Sequence, residues 1–128
     1  MEAEHAPIYM VETLKEFTFE AAHQVPPYSG VHGHSFMVEV VVTGLPDPVF
    51  GWAASLTDIE PQIEVLRQDL DHKYLNEIEG LAVPSLENIA SWIWRRLAQA
   101  VPGLDRITVR RGVPGHSEGC TFRGFPHR

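Results

Sequence analysis

The residues of this 128-residue chain whose types and spacing could do chemistry are three histidines: His23, His32 and His34. His32 and His34 flank Gly33, and in a β-strand side chains two apart point the same way, so both imidazoles can reach one point. His23 closes the run Phe17-Thr18-Phe19-Glu20-Ala21-Ala22-His23, in which Phe17, Phe19, Ala21 and His23 share one strand face. If the two strands pair, the third imidazole arrives beside the other two. Three neutral nitrogens at about 2.0–2.1 Å around an open fourth position are the ligand set of a catalytic rather than a structural zinc ion. Imidazole also suits copper, iron and nickel, and an isolated His-x-His pair is common at ordinary surfaces. Zn2+ is the expectation when all three are taken together. His5, His116 and His127 lie near the termini or in a Gly/Pro-rich loop, and no role is expected of them.

The elements that must position these groups are legible from periodicity. A first strand is expected over residues 10–22 and a second over 35–43, where Met37, Val38, Val40, Val41 and Val42 suggest cover on both faces. Gly44-Leu45-Pro46-Asp47-Pro48 ends it. A first helix is expected from Thr57-Asp58, with Thr57 and Glu60 spaced as a capping box and Pro61 within the first turn. Its buried stripe would be Leu56, Ile59, Ile63, Leu66 and Leu70. Ser85 is the expected N-cap of a second helix, with Glu87 near the positive end of its dipole and a stripe of Leu86, Ile89, Ala90, Ile93 and Leu97. Two short strands, over residues 107–111 and 120–125, close the chain around a Gly/Pro-rich loop. The class is α+β: a four-stranded antiparallel sheet with two helices on one face. Two helices cannot cover both faces, and Trp92 and Trp94 fall off the second stripe. Long strands with open edges are a hazard that assembly hides, so a homo-oligomer is expected.

The composition narrows the function classes. A length of 128 residues suits one domain, 1–128, with a real core. The net charge of −7 argues against a nucleic-acid footprint, which needs a clustered basic face. No apolar run approaches a membrane span, and the start Met1-Glu2-Ala3-Glu4-His5 is unlike a signal peptide. One cysteine, Cys120, excludes an internal disulfide and suits a reducing, cytoplasmic setting.

Beyond these readings the chain resembles a known family, the 6-pyruvoyl- and 6-carboxy-tetrahydropterin synthases, and within it the bacterial 6-carboxy branch that feeds deazapurine (queuosine) synthesis. The resemblance rests on Phe17 to His23, on His32-Gly33-His34-Ser35-Phe36-Met37-Val38, and on Leu70-Asp71-His72-Lys73-Tyr74-Leu75-Asn76. It continues through Pro84-Ser85-Leu86-Glu87-Asn88-Ile89-Ala90, Trp92-Ile93-Trp94 and Gly119-Cys120-Thr121-Phe122-Arg123-Gly124, in the family's order along nearly the whole chain. The resemblance implies a T-fold whose strands join around a trimer into a barrel, with two trimers stacked as a hexamer. It implies 7,8-dihydroneopterin triphosphate or a related pterin as substrate and zinc on His23, His32 and His34. Asp71 and His72 would be the acid–base pair, although helix neighbours do not face one another. A hydrogen bond between them therefore requires the chain to turn after Leu70. Read without the resemblance, the two residues could equally cap the helix C-terminus.

Departures from the family's pattern matter as much. The family carries a catalytic cysteine a few residues before the His-x-His pair; here residues 24–31 hold none, and Tyr28 falls at that place. Tyrosine, with a pKa near 10, is a poor base at neutral pH. Cys120 is read as a small buried hydrophobe rather than a displaced thiol. The family's pterin-anchoring glutamate aligns forward with Arg111 and backward with Pro114, and arginine offers donors only. Glu118 could substitute if the loop folds back, and Glu87 matches a second family carboxylate. Glu87, Glu118 and Arg111 are thus the substrate-binding candidates. The expected function is a zinc-dependent lyase on a pterin with altered acid–base apparatus. A non-catalytic zinc- and pterin-binding sensor or subunit is the alternative, and a purely structural oligomer a third class.

Overall fold

The computed structural model describes residues 9–124, so His5, His127 and Phe125 lie outside the described residues. In chain order the elements are β1 (Val11–His23), β2 (His32–Gly44), α1 (Leu56–Leu70), β3 (Lys73–Tyr74), a single 3-10 turn (Leu75–Glu77), α2 (Leu86–Ala98), β4 (Leu104–Val113) and β5 (His116–Phe122). The strands form one sheet in the order β3-β1-β2-β4-β5. All pairs are antiparallel except β3, which runs parallel to the end of β1. The four expected strands are therefore joined by a fifth, whose two residues are too few to show a period. Both long strands extend over the histidines, to His23 in β1 and from His32 in β2.

Alternation decides which face is covered. Phe17, Phe19, Ala21 and His23 of β1 are buried, as are Phe36, Val38, Val40 and Val42 of β2 and Ile107 and Val109 of β4. Against this face pack Ile59, Ile63, Leu66 and Leu70 of α1 and all five expected residues of the α2 stripe. Phe19 and Phe36, paired across β1 and β2, stack at 4.9 Å. On the other face of β2, Met37 and Glu39 are half-buried and only Val41 is fully covered, so the valine-rich run does not mark a strand enclosed on both sides.

Several local expectations are corrected. Helix α1 begins at Leu56 with Ser55 as N-cap, and Leu56 lies outside the buried stripe. Thr57 is already inside the helix, where its hydroxyl meets that of Ser55 at 2.8 Å, so no Thr57–Glu60 capping box forms. Pro61 sits past the first turn, where its missing N–H leaves the Thr57 carbonyl without its helical donor. Ser85 caps α2 as expected, its hydroxyl accepting from the Asn88 N–H at 3.1 Å. The tryptophans find their surfaces within the chain and so do not argue for assembly. Trp92 donates to the Glu79 carbonyl (3.0 Å) beneath Arg96, 4.7 Å from its ring centroid, and Trp94 meets Phe122 edge-on. The expected Gly/Pro loop is a two-residue turn: Val113 pairs with His116, leaving Pro114 and Gly115, with Gly115 at φ 85°. Proline followed by a residue of positive φ is the type II combination. Among the described residues no helix is long and apolar enough to cross a membrane.

In urea titrations, Ser85→Ala should destabilise by about 1 kcal/mol and Phe36→Ala by about 3–5 kcal/mol. Thr57→Ala should stay within about 0.5 kcal/mol, because its hydroxyl caps nothing; a loss as large as that of Ser85→Ala would restore the capping box.

Candidate metal centre and active site

The β1–β2 register places His23 opposite His32 and Ala21 opposite His34. All three imidazoles thereby fall on the helix-facing side, at the end of the sheet. One ligand atom from each can be chosen so that all lie within 4.8 Å of one another. Nδ1 of His23 lies 2.9 Å from the carbonyl of Pro84, just before α2, and Nδ1 of His32 lies 3.3 Å from the Gly30 carbonyl. Carbonyls only accept, so both Nδ1 atoms are placed to donate, and in the neutral rings both Nε2 atoms would present lone pairs. Those Nε2 atoms stand 3.1 Å apart. Two lone pairs at that separation call for a shared cation, and two nitrogens at about 2.0–2.1 Å on a tetrahedral ion lie about 3.3–3.4 Å apart. Nε2 of His34 is buried and has no partner among the described residues. The donor set thus fits a metal ion, with the His23–Pro84 bond fixing a ligand's orientation from behind.

Burial holds the His23 and His34 imidazoles below the ordinary histidine range, and the charge of Arg111 presses both further down. Low basicity favours the neutral, ligating form. Asn76 supports the same end of β1: its side chain accepts from the Gln24 N–H (2.9 Å) and donates to the Gln24 carbonyl (2.8 Å), prolonging the strand pairing just past His23. That clamp and the Pro84 carbonyl were missed in the sequence. Both are backbone relations, which side-chain patterns do not announce.

The chain turns after Leu70 as the Asp71–His72 contact requires. Asp71 caps α1 in an extended conformation and His72 takes φ 60°. Few residues other than glycine adopt that region. Two bonds hold His72 there: its N–H donates to the Glu20 carbonyl, and its Nδ1 lies 2.8 Å from Asp71 Oδ2. The other Asp71 oxygen accepts from the Glu20 N–H at 2.8 Å. That bond and the His72 contact keep the carboxyl below the usual carboxylate range. The Asp71 carboxylate can only accept, so Nδ1–H of His72 donates to it, and the rest of the imidazole stands on a side chain that is 79% exposed.

The expected residues gather in two places. Arg111, on β4 opposite Phe36, and Glu118, opposite Arg111 on β5, lie on the imidazole side of the sheet and pair with each other. Together with His34 they line two open cavities. One, of about 700 Å³, continues along the β4–β5 hairpin; the other, of about 530 Å³, continues along Tyr28, Ser29, Gly30, Val31 and His32. Glu118 reaches this position on a strand, not on a folded-back loop. His72 opens on a third cavity with Glu20, Ala22, Gly33, Ser35 and Lys73, which touches His34 but neither His23 nor His32. Within one chain His72 thus opens on a cavity that reaches the imidazole cluster only at His34. Glu87 lies exposed on the first turn of α2 and lines none of the three. Cys120 packs against the core, where burial, then the charge of Glu87, pushes its thiol up to about 11. It is no thiolate at neutral pH.

A mostly antiparallel sheet with two helices on one face and a three-imidazole cluster at its end defines a T-fold protein that could hold a metal ion. The comparisons agree. The 6-pyruvoyl tetrahydropterin synthase family model matches residues 12–123. A 6-carboxy-5,6,7,8-tetrahydropterin synthase from Synechocystis is 39% identical over 111 residues, covering 74% of this chain and 81% of that protein. A dihydroneopterin monophosphate aldolase from Pyrococcus furiosus is 33% identical over 100 residues, covering 74% and 84%. The Caenorhabditis elegans 6-pyruvoyl tetrahydropterin synthase structure has the same fold, with a TM-score of 0.75 at 21% identity over 93% of this chain and 97% of that one. The chain belongs to the 6-pyruvoyl tetrahydropterin synthase family.

The metal centre makes a pH prediction. Protons compete with metal for imidazole nitrogen, and His23 and His34 are held below the ordinary value of 6.5. Zinc occupancy, followed by elemental analysis after dialysis, should therefore persist as the pH falls through 6.5 and be lost only in more acidic buffer. His34→Ala should weaken zinc binding more than the roughly 10–100-fold typical of removing an outer-shell partner. Full occupancy in that variant would refute the ligand assignment.

Proposed function

We propose that this chain is a zinc-dependent lyase acting on the side chain of 7,8-dihydroneopterin or one of its phosphate esters. The observation that carries the reading is the convergence of three imidazoles, two with Nδ1 beside a backbone carbonyl, at open cavities. Zinc held there by His23, His32 and His34 would supply Lewis-acid polarisation of substrate hydroxyl or carbonyl oxygens. His72, with Nδ1–H donated to Asp71, would take and return the proton. The family's cysteine is absent and the Cys120 thiol is held protonated, which leaves one histidine base. Carbon–carbon cleavage of retro-aldol type needs only one: the 2′ hydroxyl proton goes to His72, the C1′–C2′ bond breaks to release C2′ as an aldehyde, the electron pair passes through C1′ into the C6–N5 imine of the dihydropterin ring, and His72 returns the proton to C1′. The relative named as an aldolase on dihydroneopterin monophosphate makes this branch chemically reasonable beside synthase activity.

Because the His72 cavity meets the imidazole cluster only at His34 and reaches neither His23 nor His32 in one chain, we propose that the Asp71–His72 pair of a neighbouring copy completes each centre. The outer positions of β3 and β5 in the sheet formed by the described residues, with the exposed Met10 beside β1 and Leu14 on it, favour assembly, and a hexamer of two trimers is the arrangement proposed. The non-catalytic alternative leaves unexplained why a non-glycine residue is held at φ 60° by two hydrogen bonds; such conformations cluster where a site requires them.

Zinc-loaded protein should convert 7,8-dihydroneopterin or its mono- or triphosphate; absence of turnover with all three would sink the lyase reading. His72→Ala should lower kcat about 10²–10⁴-fold with zinc content unchanged. Refolding His72→Ala together with His34→Ala should restore part of the activity, since mixed assemblies contain some intact centres. Failure of that complementation between otherwise folded variants would place both functions within one chain.

A further inference from the structure

Resting on the pterin reading above, we infer that Arg111 is a specificity residue that binds an anionic oxygen group, phosphate ester or carboxylate, on the substrate side chain, with Glu118 as its exchangeable partner when the site is empty of substrate. Arg111 is poorly placed to serve only as a clasp between β4 and β5. Its Nε and Nη2 both fall on the same oxygen, Glu118 Oε1, at 2.8 and 2.6 Å. The strong arrangement for guanidinium and an oxyanion is the parallel fork, with two N–H groups on two oxygens. Here the second carboxylate oxygen is not used, and Nη1 has no partner among the described residues. The pair is also asymmetric in burial: the arginine side chain is 21% exposed and the glutamate 67%. A carboxylate so open to water is held weakly and leaves cheaply, whereas the cation is fixed against the sheet.

Its surroundings favour an anion. Arg111 lines both cavities that meet at His34, and its field already reaches the His23 and His34 imidazoles. With a divalent ion on three neutral nitrogens, Glu118 alone would oppose the metal and the guanidinium. A phosphate monoester, or a carboxylate with two equivalent oxygens, would complete the fork and offset that excess. A neutral side chain would do neither.

The test uses oxidised pterins, which report binding without turnover. Neopterin, neopterin monophosphate and 6-carboxypterin would be titrated by fluorescence into zinc-loaded wild type, Arg111→Gln and Glu118→Gln. Wild type should bind at least one of the two anionic ligands about ten- to a hundredfold more tightly than neopterin, the range for a charge-assisted contact; which one it favours identifies the anion. Arg111→Gln should erase the preference while keeping neopterin affinity. Glu118→Gln should keep or increase it, because the competitor for Arg111 is removed. A clasp serving only structure predicts instead that both variants lose affinity for all three ligands alike, and this result, or a wild type without preference, would overturn the inference. Preference without any turnover would remove the lyase reading and leave this one; turnover without preference would do the reverse; and binding of none of the three would remove both.

Discussion

The register between β1 and β2 is the constraint on which the rest depends. Side chains alternate across a strand, so a slip of one residue would carry a histidine to the wrong face and scatter the cluster. The pairing is fixed a few residues away by Phe19 opposite Phe36, stacked within the core. It is fixed again beyond His23 by the Asn76 clamp on Gln24. Hydrophobic packing thus selects the alignment, and polar contacts hold the last few residues, where no apolar side chain remains to do so. The carbonyl before α2 then sets the tilt of the His23 ring, tying the helix layer to the centre.

What could be read in advance follows from the reach of each signal. His23, His32 and His34 were visible because strand alternation is regular enough to project three residues onto one face. The stripes of α1 and α2 were visible because 3.6-residue periodicity survives over a dozen positions; Leu56 failed because the stripe continued past the point where the helix touches the sheet. Strand β3 was hidden because its pairing is set by the parallel run of β1, not by its own two residues. The capping box at Thr57 was a true spacing in the wrong place, since Ser55 stood two residues earlier and took the cap position. Arg111 and Glu118 were each singled out as oddities. Their partnership depended on hairpin register, which a Gly/Pro-rich stretch leaves undetermined until Pro114-Gly115 is recognised as a two-residue turn.

The side chains around the imidazole cluster form a coherent set. The segment between the first histidine and the pair is short, and it carries Tyr28 facing His32 edge-on at 5.7 Å. The remaining cysteine is kept protonated in the core. In the cavity beside His34 the Arg111 cation stands on β4, with the Glu118 carboxylate across from it on β5. The imidazole cluster and the Asp71–His72 contact are intact.

The tight turn at Pro114-Gly115 has a consequence for how such a wall can vary. In an antiparallel ribbon closed by two residues, trimming one residue from each arm moves the tip inward, leaves every surviving pair facing its old partner, and only lowers the rim. Removing residues from one arm alone slides the arms past each other, so that a different side chain meets position 111. Unequal insertions and deletions in this ribbon can therefore exchange the charge opposite Arg111 without any substitution. The side chain facing Arg111 can thus change through ribbon length while the pairing of β1 with β2, which gathers the imidazoles, keeps its register.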